Sequence, residues 1–350
     1  MHNAVSLRKL GVSVFVFLVL FQVSQRLQLA QENVCRERLL PTFVIDKDGN
    51  PVRNLSPSDF QLKNSATSMS VAAWNPDGRR HRVVILLDVS GSMRGISGPG
   101  FRNALMAITQ HVVSIHSENG QFALMTFSGH VIETVGFSQG SAAVRHRMEE
   151  ISNNPAYANQ PGKPGTAIFD AMKEGFHLLE SPTSADSLLV ITDGLDEGSN
   201  TKPSDLLALL SVPMVRVFSI LMVDPVFMVD RVYGGQRQNP KSVAFTDLVE
   251  KSGGRVFGPV DLAKTGLSNS PHSAELRDAF EERLLQFYRG ILQNDIVTVE
   301  MSSGVITKPE PLRLSLSDTA QRQWKHAQIF YPREIGACPE DIAPKNVPGS

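Results

Sequence analysis

An α/β fold with a doubly wound, mostly parallel central sheet, helices on both faces and small β units at the N- and C-terminal ends is predicted. Three observations predict it. The five residues Val83 to Leu87 are apolar without alternation, as is Ser187 to Thr192 over most of its length, which marks strands covered on both faces. Such runs alternate with amphipathic stretches of helical length between residues 81 and 292, the order that builds a parallel sheet with crossover helices. Outside that span the extended segments are short and separated by turn residues.

The elements follow in order. Arg8 and Lys9, the apolar stretch Leu10 to Val23 and polar residues from Ser24 have the arrangement of a secretory signal peptide over residues 1–30. The apolar stretch falls short of the ~20 residues of a spanning helix. The mature chain is therefore expected to begin near Gln31, to be exported to the periplasm, cell surface or medium, and to carry no transmembrane span; an uncleaved anchor is the alternative. Residues 31–80 form the N-terminal β unit, with a strand at Thr42 to Ile45, a turn at Asp46-Lys47-Asp48-Gly49-Asn50 and a short extended piece at Pro51-Val52. A calcium loop is disfavoured there, because the glycine comes fourth instead of sixth and Pro57 stands where the bidentate Glu belongs. Asn54-Leu55-Ser56 has the form of a glycosylation acceptor for a eukaryotic source.

Within residues 81–292, strands are expected at 82–87, 121–128, 130–135, 187–192, 215–223 and 254–257. Helices are expected at 101–117, 142–151, 166–179, 204–210 and 242–251. Ala274 to Leu292 closes the domain, with Leu276, Phe280, Leu284, Tyr288, Ile291 and Leu292 recurring as one apolar stripe. Residues 293–350 hold a second β unit and tail, with strands at 296–300, 312–317 and 327–331; it could pair with the N-terminal unit.

Composition narrows the partners. With 350 residues, 34 Lys and Arg against 35 Asp and Glu, and a formal net charge of -1, no global field recruits nucleic acid. Cys35 and Cys338 lie at opposite ends; a bridge between them would close a ring of about 300 residues and stabilise by at most roughly 5 to 6 kcal/mol, while two unpaired thiols are the other reading.

Three loops carry chemistry. Asp88-Val89-Ser90-Gly91-Ser92 leaves a buried strand, Pro164-Gly165-Thr166 opens a helix, and Thr192-Asp193-Gly194 ends another strand. In a parallel sheet all three open on one edge, where ligands bind. Their carboxylate and hydroxyl oxygens suit a hard divalent ion, Mg²⁺ first, with Mn²⁺ or Ca²⁺ as alternatives. Zinc lacks ligands, since the nine histidines show no His-Glu-x-x-His spacing. If Ser90, Ser92 and Thr166 form the inner shell, most of the ion's charge remains and it seeks an outside anion, while Asp88 and Asp193 hold coordinated waters. Each part also has a plain reading. Asp88 and the serines suit a turn and cap, Thr166 suits an N-cap, and Asp193-Gly194 suits a strand-exit turn. Asp196 and Glu197 are expected to form a solvated acidic loop, with tuning of a ligand's approach as the other reading.

Taken together, Asp88-x-Ser90-x-Ser92, Gly165-Thr166 and Thr192-Asp193-Gly194 resemble the metal-ion-dependent adhesion site of von Willebrand factor A-type domains, over about residues 82–292. The resemblance implies a Rossmann-like fold. It also implies direct metal contacts from Ser90, Ser92 and Thr166, water-mediated ones from Asp88 and Asp193, and an acidic side chain of a protein partner completing the octahedron. Asp48-Gly49-Asn50-Pro51-Val52-x-x-Leu55-x-x-x-Asp59-Phe60 is similar to the leader of exported bacterial "VWFA-related" proteins, whose tails often carry a Gly-Tyr-Tyr-like segment. Here Ile329-Phe330-Tyr331-Pro332 is the nearest counterpart.

An enzyme fits poorly. The serines lack the spacing of a Gly-x-Ser-x-Gly elbow, and the second carboxylate of aspartate-based phosphatases is replaced by Ser90. The expected function is binding; a structural module of a cell-envelope assembly, with the metal only ordering loops, is the alternative.

Overall fold

The computed structural model describes residues 37–64, 69–94, 98–116, 120–153, 165–222, 240–258, 274–301, 306 and 308–337. The leader, Pro164, Cys35 and Cys338 lie outside the described residues. The first elements are β1 (Glu37–Ile45), β2 (Phe60–Asn64), β3 (Met69–Pro76), β4 (His81–Asp88), α1 (Gly98–Ile115), β5 (Gly120–Phe127), β6 (Val131–Val135), α2 (Gly140–Asn153) and α3 (Ile168–His177). They are followed by β7 (Asp186–Thr192), α4 (Pro203–Ser211), β8 (Arg216–Leu221), α5 (Pro240–Lys251), β9 (Val256–Phe257), α6 (Ala274–Leu292), β10 (Asp295–Met301), β11 (Glu310–Leu316), α7 (Asp318–Gln323), β12 (Gln328–Phe330) and β13 (Glu334–Ile335).

Six strands form the central sheet in the order β6-β5-β4-β7-β8-β9. All neighbours are parallel except β6, which runs antiparallel to β5. The unalternated strand β4 is explained by its two covered faces. Val83, Ile85 and Leu87 pack with Leu105, Met106 and Val112 of α1, Val144 and Met148 of α2, and Phe280, Leu284, Phe287, Tyr288 and Ile291 of α6. Val84 and Leu86 turn the other way, onto Ile168 and Met172 of α3, Leu206 and Leu210 of α4, and Phe245 and Leu248 of α5. Covering both faces removes apolar area that a one-sided sheet would leave in water, at about 25 cal/mol per Å².

The strands before β4 and those after α6 share two further sheets. In one, the order is β12-β1-β10-β3, with β1 and β10 antiparallel from Glu37↔Glu300 to Thr42↔Asp295. In the other, β11 lies between β13 and β2. Leu312, Leu314 and Leu316, the buried alternate positions of β11, join Leu40, Val44, Phe60, Val297 and Val299 in a third core, which also takes in Met214. Asp46 accepts from the Asp48 and Asn50 amides at 2.9 Å each, and Gly49 sits at φ 88, so the acidic segment is a turn closed on itself.

The flanking sheets are bolted to the central domain at the end of the sheet where β4 and β8 begin. Arg216, fully buried at the start of β8, donates to the carbonyls of Gly290 and Ile291 at 3.2 and 3.4 Å and to Asn294 Oδ1 at 3.0 Å. A cation on the last carbonyls of α6 complements the helix dipole, although burial pushes this guanidinium down to about 9. Gly254 touches the backbone of β8 so closely that an added Cβ would lie 1.6 Å from the Val217 carbonyl oxygen. Among the described residues no helix is long and apolar enough to cross a membrane.

Candidate metal centre

Asp88 ends β4 and its side chain shares the face of Val84 and Leu86. Leu87 pairs with Ile191 in the parallel register, so Thr192, the last residue of β7, stands beside Asp88 on that face. The consequence is a buried bond: Thr192 Oγ1 donates to Asp88 Oδ2 at 2.7 Å. The other carboxylate oxygen accepts from the Ser90 amide at 2.8 Å, which turns the chain sharply after the strand. Ser90 is buried and Ser92 exposed, with their hydroxyl oxygens 3.1 Å apart. Asp193, also buried, accepts from the Leu195 amide at 3.0 Å.

Thr166 is placed by two other loops. The Ala167 amide donates to the Ser128 carbonyl at the exit of β5 at 2.8 Å, and the Thr166 carbonyl accepts from the Glu197 and Gly198 amides at 2.8 and 3.2 Å. Thr166 is not the N-cap of α3. That position falls to Ala167, and the free amides of the first turn go elsewhere: Ile168 N–H to Asp196 Oδ1 at 2.9 Å, and Phe169 N–H to Ser199 Oγ at 3.0 Å. The Thr166 hydroxyl is thereby released from capping. The expectation of a solvated acidic loop at Asp196 and Glu197 holds for Glu197, which is exposed, and fails for Asp196, which is 7% exposed. Its carboxylate is consumed by the positive end of α3. Thr192 and Asp196 are the positions beside the candidate site whose bonds sequence reasoning did not assign. Only the strand register reveals the first; a Ser or Asp ahead of a helix signals a cap, but Asp196 caps a helix from 28 residues downstream.

Residues 83–195, from β4 to the loop after β7, match the family model of the von Willebrand factor type A domain. This segment is similar to a von Willebrand factor type A domain. All five candidate residues fall inside the matched segment of that A-type domain. No curated protein matches the chain. Similar solved structures include BatB from Bacteroides thetaiotaomicron, 15% identical over 59% of this chain and 98% of that one, with a TM-score of 0.39. A von Willebrand factor type A protein from Catenulispora acidiphila is 14% identical over 83% of this chain and 76% of that one, with a TM-score of 0.38. Proximal thread matrix protein 1 from the mussel byssus, described with a zinc-occupied MIDAS motif, is 12% identical over 69% of this chain and 50% of that one, with a TM-score of 0.38.

The site holds two buried carboxylates close together. Burial pushes the Asp88 carboxyl up to about 6; the bonds from Ser90 and Thr192 oppose the rise, and the charge of nearby Asp193 adds to it. Among the described residues no Lys, Arg or His forms an ion pair with Asp88, Asp193 or Asp196. A buried carboxylate without a counter-charge is costly, and a hard cation beside it removes that cost. The donor set fits such an ion, since carboxylate and hydroxyl oxygens are what Mg²⁺ takes. No cluster of three or more His, Cys, Asp or Glu occurs among the described residues.

Proposed function

We propose that this chain is an exported, non-catalytic binding protein whose A-type domain recognises an acidic group of a protein partner through a Mg²⁺-type ion. Asp88, Ser90, Ser92, Thr166 and Asp193 hold that ion. The supporting observation is the buried Asp88 carboxylate, clamped by Thr192 and the Ser90 amide and lacking a cationic partner among the described residues. When bound, a divalent ion in this neutral-hydroxyl setting supplies a Lewis-acidic position open to an anionic oxygen. The protein's own contribution is orientation. The ends of two strands, the loops after them and the loop before α3 carry the five oxygen-bearing side chains.

The test is calorimetric titration of metal-stripped mature protein with Mg²⁺ and Mn²⁺, alone and with millimolar glutamate, for the parent, Asp88→Ala and Thr166→Ala. Saturable binding that glutamate strengthens and either substitution abolishes is the expected result. Equal affinity in parent and variants would sink the proposal. Binding without anion coupling, with chelation lowering only the melting temperature, would leave the metal a loop-ordering role.

A further inference from the structure

Beside Thr166, one of the five candidate ligands, stands an acidic side chain open to solvent. The Glu197 amide donates to the Thr166 carbonyl at 2.8 Å, and a Cβ added to Gly165 would lie 3.8 Å from the Glu197 Cβ. Glu197 is thus held at its root against the Gly165-Thr166 backbone, while the rest of its side chain is exposed. The neighbouring carboxylates are engaged within the fold. Asp196 accepts from the Ile168 amide and the Ser199 hydroxyl, and Asp170 accepts from the Asn200 and Thr201 amides at 3.0 and 2.8 Å. Glu197 forms no ion pair with a Lys, Arg or His among the described residues. It is a free negative charge on the rim of the candidate site.

We infer, resting on the metal-mediated recognition proposed above, that Glu197 is a specificity-determining residue: it selects a partner whose acidic residue is flanked by Lys or Arg. An acid approaching Thr166 alone meets a second carboxylate of the same sign, and that repulsion offsets part of its attraction to the ion. A cation carried next to the acid pairs with Glu197 and turns the same charge into an attraction. Because Glu197 is exposed, the effect is modest, and exposed ion pairs translate into a preference of about two- to fivefold. Salt should shrink it, since screening acts fully on charges at the surface.

Two capped tetrapeptides, acetyl-Gly-Lys-Asp-Gly-amide and acetyl-Gly-norleucine-Asp-Gly-amide, differ only in the charge beside the acid. Each is titrated calorimetrically into the full mature chain at saturating Mg²⁺ and low salt, for the parent and Glu197→Gln, after titration of both proteins with Mg²⁺ alone. The lysine peptide should bind the parent about two- to fivefold tighter than the norleucine peptide, and the two should bind Glu197→Gln alike. Glu197 is exposed, so the variant should melt like the parent and still take up Mg²⁺. Equal binding of both peptides to the parent, or a preference that survives in Glu197→Gln, would overturn the selection and leave the metal reading standing. Loss of Mg²⁺ uptake in Glu197→Gln would overturn it by making Glu197 a metal ligand. A parent that takes up no Mg²⁺, or takes it up and binds neither peptide, would refute the metal-mediated recognition and the selection together.

Discussion

Thr192→Val is the sharpest perturbation of the candidate centre, because it removes one hydroxyl from a fully buried side chain and keeps its shape. That hydroxyl donates to Asp88 Oδ2 at 2.7 Å and accepts from the Gly194 amide at 3.2 Å. A bond to an ionised acceptor is worth about 1.5–3 kcal/mol and an amide bond about 0.5–1.5, so roughly 2–4.5 kcal/mol is at stake. For a chain of this size each kcal/mol lowers Tm by about 2–4 °C, which gives a drop of roughly 4–18 °C. The functional consequence is separate. With one oxygen unheld, Asp88 can rotate away from the ion, and losing a partner of this kind costs about 10- to 100-fold in metal affinity. Calorimetric Mg²⁺ titration of the parent, Thr192→Val and Thr192→Ser, below the melting range of each, measures it. Thr192→Ser keeps the hydroxyl and should stay near the parent. A Thr192→Val protein that binds within threefold of the parent, or a Thr192→Ser protein equally impaired, would refute the positioning role.

Four further outcomes are expected. Asp196→Ala should cost about 1–2 kcal/mol in denaturant melts, because the Ile168 amide at the start of α3 loses its acceptor; a melt unchanged within error contradicts the cap. Gly254→Ala should cost more than about 3 kcal/mol or prevent folding, since its Cβ would be driven into the Val217 carbonyl, and near-parental stability would show that β9 lies elsewhere. Asp295, pushed up to about 6 by burial against the weaker pull of Arg53, holds its proton in the folded state more tightly than in the unfolded chain. It therefore contributes stability below about pH 4 that is lost as pH rises to about 6; Asp295→Asn should gain stability over the parent at pH 7 and not at pH 4, and the same difference at both pH values would count against it. Finally, Arg38 donates to the Val212 carbonyl at 3.1 Å, and an added Cβ on Gly336 would lie 2.8 Å from the Ser211 carbonyl carbon. Arg38 and Gly336 thus approach one turn, and in sequence they stand close to Cys35 and Cys338. Peptide mapping of oxidised protein under non-reducing conditions should recover the linked pair, and free thiols alone would exclude it.

Much of the fold was legible in residue order, and of the candidate site the adjacency of the loops after β4 and β7. Buried strands of a parallel sheet are apolar on both faces, so Val83 to Leu87 and Leu188 to Ile191 announce themselves without alternation, and the helices between them do so by period. Because parallel strands end on one edge, the loops after β4 and β7 were expected to lie side by side, and Thr192 does bond Asp88 across them. The stripe of α6 was legible for the same reason, with Phe280, Leu284, Tyr288, Ile291 and Leu292 all buried.

What the tertiary structure alone decided is which groups meet. Thr192 clamps Asp88 only because the two strands pair in one register and not its neighbour, a one-residue choice that reverses the face of every side chain. Arg216 stands at the head of an apolar strand, and nothing local marks it as a cap for a helix whose Ile291 carbonyl lies 75 residues later. Asp196 had every sign of a solvated loop until the start of α3 arrived beside it. The end sheets pair Glu37 with Glu300, partners separated by most of the chain. Local pattern is set by what each residue needs from its surroundings, whereas the partner that meets the need is set by strand register and chain crossing, which involve residues no sequence window contains.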